Sequence, residues 1–85
     1  MIEETAEDVK YFYTVYKEDG EEKLQGRSDS LEIQRKTSSF VAKHTNTRMV
    51  LIDAQTHRPL FVYHAGTGEE VDARKDPEEI ARAEG

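Results

Sequence analysis

Residues 9–17 read Val-Lys-Tyr-Phe-Tyr-Thr-Val-Tyr-Lys. Aromatic and β-branched residues at that density suit a pleated, half-buried surface, so the run predicts a strand. Asp19-Gly20 follows, and both residues accept the positive φ of a type I′ turn. Such a turn sets the return register: Glu18 opposite Glu21, Lys17 opposite Glu22, Val15 opposite Leu24 and Tyr13 opposite Gly26. Lys17 and Glu22 then attract, and a ring lies over a strand glycine.

Ser28-Asp29-Ser30 supplies capping oxygens ahead of residues 31–45. There Ile33, Thr37, Phe40, Val41 and His44 recur at i, i+4, i+7, i+8 and i+11, which predicts a helix presenting that stripe to a core. The competing pattern is two short strands, 31–36 and 39–44, because Leu31 and Ile33 alternate and Ser and Thr are poor helix formers. Thr45-Asn46-Thr47 ends the element. Residues 48–54 are a short apolar run of the kind covered on both faces. Asp53 to Pro59 turns the chain, and residues 60–64 run back, with Pro59 at the strand start where a missing N–H is tolerated. Ala65 to Gly68 is a loop, and Glu69 to Ala73 offers a short edge strand through Val71. Asp76-Pro77-Glu78-Glu79 is a helix start with cap, first-turn proline and dipole-matched acids.

Together these elements predict an α+β domain over residues 9–73. Its core is a ββαββ antiparallel sheet of about four strands with one helix packed on a face. An acidic segment, 1–8, precedes it, and a short capped helical tail, 74–85, follows. Alternation sorts Tyr11, Tyr13 and Val15 against Phe12 and Tyr16 on the first strand. It sorts Met49 and Leu51 against Val50 and Ile52, and Phe61 and Tyr63 against Leu60 and Val62. Both sheet faces are therefore apolar, and one helix covers only one of them. The uncovered face, led by Phe12, Tyr16 and Tyr63, is the candidate protein interface, filled by the termini, a second copy or another protein.

Composition narrows the chemistry. The 85 residues contain no cysteine, which excludes a disulfide scaffold, a zinc ribbon and thiol catalysis. No apolar run reaches the ~20 residues of a bilayer-spanning helix. The acidic start, Met1-Ile2-Glu3-Glu4, lacks the positive charge of a targeting signal, so a soluble cytoplasmic protein is expected. The formal charge of −6 is unevenly spread. Residues 23–64 are net basic, and the segments on either side are acidic. Arg27, Arg35, Lys36, Lys43 and Arg48 in that basic stretch are the candidate anion-binding residues.

His44, His57 and His64 lack metal-ligand spacing, so neither a metal nor another cofactor is expected. Thr37, Ser38 and Ser39 have no partner base implied, and Gly66-Thr67-Gly68 runs into two glutamates, which a phosphate loop does not. The expectation is a non-catalytic binding or regulatory module acting through protein contact, including contact with its own twin. The alternative is a nucleic-acid-binding accessory protein using the basic stripe in residues 27–48.

Overall fold

A computed structural model of the chain describes residues 11–75. Its elements are β1 (Phe12–Glu18), β2 (Glu21–Ser28), α1 (Leu31–Thr45), β3 (Met49–Asp53), β4 (Arg58–Tyr63) and β5 (Glu70–Asp72). The strands form one antiparallel sheet in the order β2-β1-β3-β4-β5, with α1 on one face. The α+β architecture is the expected one, and the short strand through Val71 makes the fifth strand. The acidic segment 1–8 and the helix expected from Asp76 lie outside the described residues.

Local chemistry explains most boundaries. Asp19 and Gly20 take φ of 57° and 82°, as a type I′ turn requires. The register near it is the expected one, with Glu18 facing Glu21, Lys17 facing Glu22 and Val15 facing Leu24. Beyond that point a bulge inserts Gln25, so Tyr13 faces Arg27 and Thr14 faces Gly26. The expected Tyr13–Gly26 pair is thereby corrected: an extra residue on one strand shifts everything past it.

Residues 31–45 form one helix rather than two strands. Ser30 Oγ accepts the Ile33 N–H at 3.2 Å, and Asn46 closes the other end in the left-handed region at φ 53°. Lys43 and His44 occupy the last turn, where basic side chains meet the negative end of the helix dipole.

The core lies between α1 and the face carrying Met49, Leu51, Phe61 and Tyr63, with Ala42 from the helix and Leu60 joining them. Phe12 and Tyr16 pack partly against this cluster. The residues sorted by alternation do share one face, but α1 covers that face. Phe12, Tyr16 and Tyr63 are thus on the covered side, and Tyr63 has 0% of its surface exposed. On the opposite face Val15 and Val62 are buried, and Tyr13, Val50, Ile52 and Val71 are half-buried. None of these six side chains is exposed.

The helix itself is turned the other way from expectation. Its buried residues are Gln34, Ser38 and Ala42, whereas Ile33 and Phe40 are 58% and 62% exposed. Volume and hydrogen bonding account for this. Tyr63, Met49 and Leu51 already fill the layer beneath α1, so close approach favours Ala and Ser over Ile and Phe. Thr14, also buried there, needs polar partners. Gln34 Nε2 donates to Thr14 Oγ1 at 2.7 Å, and Thr14 Oγ1 lies 2.6 Å from Ser38 Oγ. Gln34 Nε2 also reaches the Gly26 carbonyl at 3.4 Å.

Candidate functional site

With its small and polar side buried, α1 presents its apolar stripe to solvent. At 3.6 residues per turn, Ile33, Thr37, Phe40 and His44 fall within about one-sixth of the helix circumference. All four are exposed. The rings of Phe40 and His44 lie 4.1 Å apart between centroids, tilted by 38°. Lys36 and Lys43, seven residues apart, flank one side of the stripe. Lys36 Nζ lies 3.4 Å from Glu32 Oε2, and both side chains are largely in water. Among the described residues Lys43 has no ion-pair partner.

A shallow groove of about 560 Å³ runs beside Phe40, lined by Glu32, Arg35, Lys36, Ser39, Phe40 and Glu70. Its wall is a clamp joining α1 to the β4–β5 edge. Arg35 Nε donates to Glu70 Oε2 at 2.9 Å and Arg35 Nη2 to Glu70 Oε1 at 2.7 Å, a bidentate pair. Tyr63 Oη donates to Glu70 Oε2 at 2.6 Å. The Arg35 guanidinium carbon lies 4.6 Å from the Phe61 ring centroid, and that of Arg74 lies 5.1 Å from it. The hydrogen bonds from Arg35 hold the Glu70 carboxyl below its ordinary range, and burial raises the Tyr63 hydroxyl far above its own. Near neutrality Glu70 is therefore an acceptor and Tyr63 a donor, which is how each is used. Ser39 Oγ donates to the Gly68 carbonyl at 2.6 Å and ties the 65–68 loop to the helix.

On the other side of the stripe a smaller slot of about 300 Å³ is lined by Tyr16, Leu24, Gln25, Val41, Thr45, Thr47 and Met49. Leu24 is 60% exposed, the third large apolar side chain in that state. The exposed apolar surface of the described chain is thus concentrated on α1 and at its β2 margin.

The five candidate anion-binding residues do not come together as one stripe. Arg35, Lys36 and Lys43 share α1, but Arg35 is committed to Glu70 and Lys36 lies beside Glu32. Arg27 sits on β2 with its guanidinium 5.9 Å from the Tyr11 ring. Arg48 is half-buried just before β3. Of the three interface candidates, Tyr63 serves the clamp, while Phe12 and Tyr16 face the core, Tyr16 also reaching the slot.

Sequence reasoning missed the buried Thr14–Gln34–Ser38 network and the Arg35–Glu70 clamp. One signal was present for the first: Gln34, Ser38 and Ala42 form an i, i+4, i+8 row as regular as the apolar one. Among the described residues no cluster of His, Asp and Glu has the makings of a metal site, and no helix is long and apolar enough to cross a membrane. Compared with known protein families, curated proteins and solved structures, the chain matches none.

Proposed function

We propose that this chain is a non-catalytic binding module that docks on another polypeptide through the outer face of α1. The observation that carries the reading is the orientation of the helix. Its Ile33 and Phe40 stand more than half exposed, while Gln34 and Ser38 occupy the buried side. Two large apolar side chains left in water on one helix face gain nothing for the isolated fold. Burying each against a partner would contribute roughly 1.5–3 kcal/mol. Anchors at i and i+7, separated by Thr37 and followed by His44, have the spacing of helix-in-groove or helix-to-helix recognition.

The nucleic-acid alternative has less support. Its basic residues are dispersed over two elements and a loop, and two of them already lie against carboxylates. Catalysis has no support in the groove beyond the clamp, whose groups are engaged with one another.

Photo-crosslinking amino acids at positions 33, 40 and 58 test the role in cells, with Arg58 as an exposed control on the sheet. Discrete polypeptide adducts are expected at 33 and 40 and not at 58. Adducts to nucleic acid, or equal labelling at all three positions, would refute the role. Retention of the purified protein on immobilised nucleic acid, falling steeply as salt rises, would favour the alternative.

A further inference from the structure

We infer that the segment received by α1 is an acidic amphipathic helix belonging to a different protein, an inference that rests on the docking role proposed above. Three features of the surface define this occupant. The first is length. Ile33 to His44 spans eleven steps at 1.5 Å each, about three turns, which a partner helix matches with anchors at three- and four-residue intervals.

The second is charge. Lys36 and Lys43 repeat at seven residues along one margin of the stripe, the same interval that separates Ile33 from Phe40. A partner helix with carboxylates at seven-residue spacing beside its apolar row would meet both. Glu32 competes for Lys36 across a 3.4 Å exposed contact, and Lys43 has no acid competing for it among the described residues. The opposite margin, Val41 and Thr45, is uncharged, so the charge reading is one-sided and fixes which way round the partner lies.

The third feature disfavours a twin. Two copies packed antiparallel through this face about a two-fold axis bring like margins together. Each margin carries Lys36 and Lys43 against Glu32 alone, so the joined margins hold four lysines and two glutamates and repel on balance. A foreign segment carrying acids avoids that conflict.

Two synthetic helical peptides of about four turns test this. Both carry leucines at alternating three- and four-residue spacing. One bears glutamates along the margin, the other lysines. Each is titrated into the ¹⁵N-labelled full chain at low salt. The glutamate peptide is expected to shift the amides of Ile33, Lys36, Thr37, Phe40 and Lys43, and to weaken as salt rises. The double variant Lys36→Glu/Lys43→Glu is expected to bind it about tenfold more weakly and to prefer the lysine peptide. Both lysines are exposed, and retained amide dispersion shows that the variant is folded. Equal binding of both peptides would overturn the charge reading while leaving the docking role standing. A doubled solution mass for the unmodified chain, abolished by Phe40→Ser, would show that the face takes a second copy and overturn the inference. No shift on α1 with either peptide, together with no adduct at positions 33 and 40, would overturn the role as well.

Discussion

Glu70 is where three elements meet: it accepts from Arg35 of α1 and from Tyr63 of β4 while standing on β5. The lowered Glu70 value makes this joint pH-dependent in a definite direction. A carboxyl whose folded value lies below its unfolded one contributes stability above the ordinary glutamate range, near 4.3, and loses it as pH falls through the folded value. The melting temperature is therefore expected to fall on acidification below about pH 4, and to fall less in Glu70→Gln. Because Arg35 is partly in water, the substitution is expected to cost on the order of 1 kcal/mol at pH 7, read by urea denaturation. Asp72, half-buried on the same strand, is drawn down to about 2 by the hydrogen bonds from Arg74. A second residue-scale test concerns Thr14. Replacing it with Val removes the hydroxyl and leaves Gln34 and Ser38 short of a partner in a buried layer. A loss of roughly 1–3 kcal/mol is expected, larger than for the variant in which all three become apolar. Equal losses would mean that the network contributes only its packing.

At the scale of elements, α1 is held by its small side and displays its large one. Ile33→Ser and Phe40→Ser are accordingly expected to change stability by less than about 0.5 kcal/mol, the range of ordinary surface substitutions. Ala42→Leu, by contrast, forces a larger side chain into a filled layer and is expected to cost about 1–3 kcal/mol. Equilibrium unfolding of these variants reads the orientation of the helix directly. The loop after β4 is equally constrained. Gly68 has φ +71°, and a Cβ there would meet the Ser39 carbonyl oxygen at 2.5 Å. Gly68→Ala is expected to cost more than about 1 kcal/mol through strain and the close approach combined, again by equilibrium unfolding. The hairpin was legible from Asp19-Gly20 because the turn chemistry is local. Its far end was not, because a bulge answers to the neighbouring strand and helix. The α1 boundaries were likewise legible from Ser30 and Asn46, whereas the buried side was not.

Across the whole molecule, the strand order places β2 and β5 at the edges of the sheet. β5 is three residues long, and β2 carries Glu21, Glu22, Lys23 and Arg27 together with the bulge. Short length, charge and bulging are the features that keep sheet edges from pairing with other chains. With two lysines on the α1 margin opposing a twin as well, the mass in solution is expected to stay at one chain, 9.8 kDa, as concentration rises. Sedimentation measurements check this, and a dimer would move attention from a foreign partner to a second copy.

The amino-acid order by itself determined what depends on near neighbours: the turn at Asp19-Gly20, the caps of α1, the alternation along β1, β3 and β4, and hence an α+β sheet with one helix. It also grouped most of the side chains that share a face, the exceptions being Leu60, which joins the core at the β3–β4 irregularity, and Val41, which packs on the core instead of standing out with Ile33 and Phe40. Tertiary structure alone decided which face met which neighbour. Periodicity states that residues point the same way, not toward what. The rings of Phe12, Tyr16 and Tyr63 lie under α1, and Ile33 and Phe40 lie outside it, because the volume left above Tyr63, Met49 and Leu51 and the hydroxyl of Thr14 selected Gln34, Ser38 and Ala42. The pairing of Arg35 with Glu70, thirty-five positions apart, follows from that same packing.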